Sequence, residues 1–261
     1  MGSKAIQGKL WGQQPKDWAT IQEPTGNTGY TYALSLLQLK PGTKLLDAGC
    51  GTGLFSDLAS KAGAEVTGID ASEALIAEAI LRNSSIKFST GEMEELPFAD
   101  DSFDVVCGFN SFQYAASTKN ALAEAHRVLK DGGKLVAMIW GNKEDCEAAT
   151  YLKAVGSLLP PPPPGAPGPF ALSENQQIEK VLKETGFKIV DNTDIDSIWD
   201  YADTGIALRG LMSVGPAAKA IGNSGFEKVY DTVLNVIKPY IQSNGHVVFR
   251  NKFRVVTAIT D

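Results

Sequence analysis

Leu45-Leu46-Asp47-Ala48-Gly49-Cys50-Gly51-Thr52-Gly53 is the stretch whose reading decides the fold. An apolar pair leads into an acidic residue and a G-x-G-x-G turn. Leu54, Phe55, Leu58, Ala59 and Ala62 then follow at helical spacing. A strand that ends in glycines and feeds a helix presents bare backbone N–H groups. The positive end of the helix dipole lies behind them, so the turn can approach and hold a negatively charged ligand group. Glycine spacing narrows the ligand. In the dinucleotide fingerprint G-x-G-x-x-G, counted from Gly49, the third glycine falls at position 54, which is Leu54. Here it comes one residue early, at Gly53, which argues for a nucleoside other than a nicotinamide or flavin cofactor.

Outward from this turn, strand and helix patterns alternate from Pro41-Gly42 to about Asn142. Strands are predicted at Lys44–Ala48, Glu65–Ile69, Ile86–Ser89, Asp104–Cys107 and Lys134–Trp140. Helices are predicted at Leu54–Ala62, Glu73–Asn83 and Lys119–Leu129, with Ser72 as the N-cap of the second. Lys130-Asp131-Gly132-Gly133 reads as a turn. Such alternation with short connections implies a parallel sheet covered on both faces, with ligands bound beyond the carboxyl ends of its strands. After Asn142 the pattern changes. A helix is predicted over Glu144–Leu158, then an extended connector through Pro160–Pro164, Gly165, Pro167, Gly168 and Pro169, either a stiff spacer or a docking segment. Ser173–Thr185 reads as a helix with a Ser173/Gln176 capping box and a stop at Gly186. Phe187–Ile195 reads as a strand. Two or three helices over Tyr201–Ile237, broken at Gly210, Gly215-Pro216 and Gly222, precede a last strand at Val247–Ile259.

The chain has 261 residues, 43% of them hydrophobic and 21% charged, which suits one large α/β domain with additions. A net charge of −6 and a pI near 5.1 leave no footprint for nucleic-acid binding. No apolar run approaches the roughly 20 residues a bilayer span requires. The N-terminus carries no signal-peptide core, and Ile6 stands where a myristoylation signal needs Ser or Thr. Cys50, Cys107 and Cys146 are odd in number without C-x-x-C spacing. They read as free thiols in a reducing cytoplasm, and with only His126 and His246 available no zinc site is expected.

Asp70 closes the second strand as Gly68-Ile69-Asp70. Alone it reads as a cap, but one strand from the glycine turn its carboxylate suits the two hydroxyls of a ribose. Gly91-Glu92-Met93-Glu94-Glu95-Leu96-Pro97-Phe98 follows the third strand, and Ala99–Asp104 leads into the fourth. Four ordered pieces, LLDAGCGTG, VTGIDAS, GEMEELPFADDSFD and RVLKDGGKL, together resemble the class I S-adenosylmethionine-dependent methyltransferases of the small-molecule "methyltransferase type 11" group. The resemblance covers roughly Leu36 to Trp140.

That resemblance implies a Rossmann-like α/β fold. Its seven-stranded, mostly parallel sheet would run 3-2-1-4-5-7-6, the last strand antiparallel. A single domain over 1–261 would hold a cofactor core of 36–142 with 172–196 and 246–261, and lid segments 1–35, 143–171 and 197–245. It also implies S-adenosyl-L-methionine as cofactor and S-adenosyl-L-homocysteine as product. Asp47, Ala48, Gly49, Cys50, Gly51 and Gly53 would hold the methionine portion, and Asp70 the ribose. Ala71 and Ser72 would flank the adenine, with Gly91, Glu92 and Met93 at its edge. Cys107 to Asn110 would line the reacting methyl. Relatives commonly carry Asp-Ala where this chain has Glu92-Met93, and His or Glu where it has Gln113.

The expected reaction is in-line transfer of the sulfonium methyl to an oxygen, nitrogen or carbon of a small, partly apolar molecule. Alignment is the protein's main contribution, and no general base is assigned. Trp18, Asn110, Gln113 and His246 are candidates for the acceptor pocket, while His126 reads as a packing residue and Glu94 and Glu95 as a solvated loop face. Trp199, Tyr201, Leu208, Leu211, Met212, Phe226 and Tyr230 suit either an apolar pocket wall or plain packing. A cofactor-binding module without turnover, or a protein- or RNA-directed enzyme, are the alternatives. The acidic pI and the absence of an (Asp/Asn)-Pro-Pro-(Tyr/Phe) tetrad at Cys107-Gly108-Phe109-Asn110 weigh against the latter.

Overall fold

The computed structural model describes residues 2–161 and 168–261. A single seven-stranded sheet runs β3-β2-β1-β4-β5-β7-β6. Its strands are β1 (Lys44–Ala48), β2 (Glu65–Asp70), β3 (Lys87–Thr90), β4 (Phe103–Phe109), β5 (Leu129–Trp140), β6 (Lys188–Tyr201) and β7 (Val247–Ile259). The first five pair in parallel, and β7 runs antiparallel to both of its neighbours. This is the class I order that the resemblance implied. Continuous apolar runs in the central strands explain the two covered faces. In β1, Leu45 packs into one core cluster and Leu46 into the other, because successive side chains of a strand point to opposite faces. Gly68 in β2 has to be small, since a Cβ there would stand 2.5 Å from a ring carbon of Phe88.

Several boundaries differ from the sequence reading. β6 continues to Tyr201, six residues past Ile195, because Asp196–Tyr201 stays paired with Val247–Lys252 of β7. The residues assigned to a helix from Tyr201 therefore begin only at Thr204. Three helices follow, at Thr204–Met212, Gly215–Ser224 and Phe226–Ile237. Gly210 and Gly222 lie inside them rather than at breaks. At Gly210 the side chains of Ile21, Gln22 and Tyr201 press on the helix, leaving no space for a Cβ. The helix expected over Glu144–Leu158 is shorter, at Ala148–Gly156. Its start is set where Asn251 Oδ1 accepts from Ala148 N at 2.9 Å.

The Ser173/Gln176 capping box does not form. Asn175 and Gln176 are left-handed, the helix starts at Gln177, and Ser173 Oγ donates to the Trp140 carbonyl instead. By contrast, Ser72 caps Glu73–Arg82 as expected, accepting from Leu75 N, and Gly186 ends its helix with φ +92°. Of the Pro160–Pro169 connector, residues 162–167 lie outside the described residues. Among the described residues no helix is long and apolar enough to cross a membrane.

Candidate active site

The carboxyl ends of β1, β2 and β4 converge on the glycine turn. Gly49 and Cys50 donate to the Ile69 carbonyl at 2.7 and 3.0 Å, which draws the turn over the end of β2. Gly49, Gly51 and Gly53 all have positive φ, a conformation open to glycine without strain. At Gly49 a side chain would also strike Ser111 at 2.3 Å. At Gly51 it would meet Glu23 Oε1 at 3.0 Å and Trp18 Nε1 at 3.2 Å. Asp70 ties the turn from below. One carboxylate oxygen accepts from Gly51 N at 3.0 Å and the other from Ser72 N at 2.8 Å. Burial raises its pKa, and the N–H groups of Ser72, Gly51 and Ala71 oppose the shift.

Behind the turn, Asp47 is buried and accepts from Ser56 Oγ at 2.6 Å. Burial pushes its carboxyl up to about 7, against the Ser56 hydrogen bond and with the nearby charges of Glu23 and Asp70 adding. Asp47 thus holds the first turn of the following helix and does not face the cavity.

A cavity partly open to solvent lies over this turn. Of the expected cofactor residues, Gly49, Gly51, Asp70, Ala71, Gly91, Glu92, Met93 and Asn110 are in its wall. Asp47, Ala48, Cys50, Gly53, Ser72 and Cys107 stand behind it. Cys107 is wholly buried between β1 and β5, so it does not line the site expected for the methyl. Ala48 contributes its carbonyl to Ser111 Oγ at 2.7 Å. Gly53 packs against Phe88 and Ala79. Among the described residues no group of three or more His, Cys, Asp or Glu side chains is arranged to hold a metal ion.

Residues 4–30, read from sequence as a lid segment with Trp18 a pocket candidate, fold into helical turns that roof the cavity. Helix Lys4–Trp11 lies directly on the end of β2, with Gly8 so close to the Ala71 carbonyl that a Cβ would stand 2.2 Å from its oxygen. Glu92 Oε2 accepts from Lys4 N at 2.7 Å, at the positive end of this helix. Glu23 makes the tightest tie. Its carboxylate accepts from Thr52 N at 2.9 Å and Thr52 Oγ1 at 2.5 Å, and pairs with Arg82 at 2.9 Å. Desolvation raises the Glu23 carboxyl to about 7, with Arg82 and Thr52 pulling the other way. Nothing in the Gln22-Glu23-Pro24 sequence marks this contact, which spans 29 residues.

The acceptor candidates divide. Trp18 and Asn110 line the cavity, and Asn110 sits at φ +51° where β4 ends. Gln113 is not in the wall but donates to Asn110 Oδ1 at 3.3 Å. His246 is not in the wall either. It pairs with Asp200 at 2.6 Å at the partly exposed β6–β7 edge, because the strands' antiparallel register carries it away from the site. We predict that His246→Ala leaves cofactor affinity unchanged in a calorimetric titration and costs at most about 1 kcal/mol of stability. His126 packs edge-on against Phe187, as expected. Glu94 is not a solvated face: it accepts from Ala116 N at 2.7 Å and Ser117 N at 3.1 Å, tying the loop after β3 to the segment that follows Tyr114. Arg127 pins the rest of that loop through Asp100, Phe98 O and Leu96 O. Of the apolar group named from sequence, only Trp199 lines the cavity.

Residues 46–137 match a family model described as a methyltransferase domain. A squalene methyltransferase from Botryococcus braunii is 31% identical over 198 residues, covering 70% of this chain and 51% of that protein. The chain spans about half to three fifths of the length of the first curated relatives it matches. Among solved structures, a Haemonchus contortus phosphoethanolamine N-methyltransferase in complex with S-adenosyl-L-methionine superposes with a TM-score of 0.57 at 20% identity, over 90% of this chain and 52% of that one. The [4+2]-cyclase SpnF superposes with a TM-score of 0.59 at 21% identity, over 90% of this chain and 80% of that one. The chain therefore carries a methyltransferase domain of the class I, S-adenosylmethionine-dependent kind.

Proposed function

We propose that the protein transfers a methyl group from S-adenosyl-L-methionine to an oxygen, nitrogen or carbon of a small, partly apolar molecule. The observation that carries this is the convergence of Gly49, Gly51, Asp70, Glu92 and Met93 on one end of a cavity whose other end is apolar and aromatic. The residues fit the cofactor chemically. Asp70 keeps lone pairs for ribose hydroxyls while its backbone bonds hold it in place. Gly49 and Gly51 leave the turn open at positions that any side chain would fill.

When bound, the cofactor supplies an already activated methyl, so the chain's own residues need only bind, align and exclude water. The roof of helix Lys4–Trp11 serves the last of these. Phe109, Asn110 and Tyr30 face the space between the glycine turn and the aromatic end, where an acceptor atom has to be positioned. No described side chain in the wall is a free base near neutral pH. Tyr30 and Tyr114 are phenols whose pKa burial raises, and Glu23 is bound to Thr52 and Arg82. A nucleophile with an available lone pair at that pH fits such a site. Incubation with S-adenosyl-L-methionine and a pool of small-molecule acceptors should yield S-adenosyl-L-homocysteine in proportion to methylated product.

A second reading has one observation behind it. SpnF, of similar fold, bears the name of a cyclase, and fold alone does not set the reaction. Cofactor binding with no S-adenosyl-L-homocysteine from any acceptor class would favour this reading.

A further inference from the structure

Every tryptophan of the chain lies in the wall of this cavity. Trp11 and Trp18 stand 4.9 Å apart under the N-terminal roof, and Trp140 and Trp199 stand 5.5 Å apart at the far end. Among the described residues no Lys, Arg or His contributes to the wall, whereas three carboxylates do: Glu23, Asp70 and Glu92. Arg82 pairs with Glu23 from behind. Asp70 and Glu92 are held by backbone N–H groups instead, those of Gly51 and Ser72 for the first and of Lys4 and Glu94 for the second.

The polar groups that remain for an acceptor are Tyr30, Tyr114 and Asn110, and they gather at the end of β4. Tyr30 stands edge-on to Phe109 at 5.0 Å, and Asn110 follows Phe109. Tyr114 closes the short turn Phe112–Tyr114, edge-on to Trp11 at 5.1 Å. Ser111, beside Asn110, lies directly over Gly49 of the glycine turn. Burial raises the pKa of both phenols, so both stay neutral near pH 7. A neutral phenol is no base, but its oxygen can accept from an N–H.

Such a wall sorts nucleophiles by charge. An oxyanion would be desolvated beside carboxylates with no cation to pair. A neutral hydroxyl must give up its proton during transfer, and an alkene carbon must shed one afterwards; the wall has no free base for either. An uncharged amine needs none. Its lone pair forms the N–CH₃ bond, the C–S bond returns its pair to sulfur, and the positive charge passes from sulfonium to nitrogen with no proton moved. The cavity therefore holds a cation before and after the step. Carboxylates and indole faces that suit the first suit the second.

Resting on the methyltransferase reading, we propose that the acceptor is an amine on an apolar or aromatic body, methylated at nitrogen. The phenol oxygens of Tyr30 and Tyr114 accept from its N–H groups.

Equilibrium dialysis near pH 7, with S-adenosyl-L-homocysteine at saturation, tests this with three probes of similar shape. N-methylbenzylammonium stands for the charged product, benzyl methyl ether is its uncharged counterpart, and phenylacetate is an anion. The ammonium should bind at least tenfold more tightly than the ether, and phenylacetate more weakly than both. Sinefungin carries an ammonium where S-adenosyl-L-methionine has its sulfonium. In its place, it should weaken the ammonium probe at least fivefold through like-charge repulsion and leave the ether unchanged. The double variant Tyr30→Phe/Tyr114→Phe keeps both rings. It should lower the preference for ammonium over ether about fivefold, since a charged donor loses more than a neutral group does. Equal or tighter binding of the ether or of phenylacetate, no binding of the ammonium, indifference to sinefungin, or an unaltered preference in the double variant each overturns the proposal. A titration with S-adenosyl-L-homocysteine alone keeps the two readings apart. If it binds and the ammonium shows no preference, only the amine class falls; if it fails to bind, the methyltransferase reading falls too.

Discussion

Asp70→Ala and Gly51→Val should each weaken S-adenosyl-L-methionine binding at least tenfold, about 1.4 kcal/mol, in a calorimetric titration. The two act differently. Alanine at 70 removes the acceptor for Gly51 N and for Ser72 N as well as the proposed ribose contact. Valine at 51 leaves Asp70 in place but puts a β-branched side chain at φ +55°, with its Cβ 3.0 Å from Glu23 Oε1 and 3.2 Å from Trp18 Nε1. Asp70→Asn separates ligand contact from turn support, because its amide keeps one acceptor oxygen for the backbone. It should lose less affinity than Asp70→Ala. Unchanged affinity in both Asp70→Ala and Gly51→Val would refute the cofactor assignment.

Glu23→Ala is expected to have the largest effect on stability. It strips a buried carboxylate from Thr52 N, Thr52 Oγ1 and Arg82 together, leaving the partly buried guanidinium without its ion pair. Removing one member of a buried pair costs about 3–5 kcal/mol. Arg82 retains some solvent and the Ala19 carbonyl, so about 3 kcal/mol is the expected loss in urea unfolding. The same residue governs a pH dependence. Glu23 and Asp47 both titrate at about 7 in the folded chain, against 4.5 and 3.8 ordinarily. Over that interval the folded state binds more protons than the unfolded one. Their combined contribution therefore favours folding below about pH 4 and is lost as pH rises toward 7, with no further change above. Glu23→Gln removes one of the two groups. Its stability relative to the parent should rise between pH 5 and 7 and stay level at pH 8. Parallel stability curves for the two proteins across pH 5–8 would count against a raised Glu23 carboxyl.

Legibility from sequence followed the range of the forces involved. The β1 turn, the cap at Ser72 and the stop at Gly186 depend on residues within a few positions of one another, and all were read correctly. Boundary errors arose where a distant partner overrode a local preference. Ile198–Tyr201 stays extended because β7 pairs with it, and Ser173 gives its hydroxyl to Trp140 instead of capping a helix. His246 looked like a pocket candidate because it opens a strand, yet the register of that strand carries it to Asp200. Gln113 looked like a lining residue and instead braces Asn110.

Fold class and the kind of cofactor were determined by the sequence alone, because both reside in a short backbone motif: glycines that must take positive φ and a carboxylate at the end of the next strand. The acceptor end was decided only by the tertiary structure. Trp11, Trp18, Trp140 and Trp199 are separated by up to 188 positions, and nothing local in the chain couples them. The packing of helix Lys4–Trp11 against Ala71, the Glu23–Thr52 tie and the pairing of β6 with β7 bring them around one cavity. Hydrophobic burial is non-directional, so an aromatic residue in the sequence announces that it will be buried but not against what.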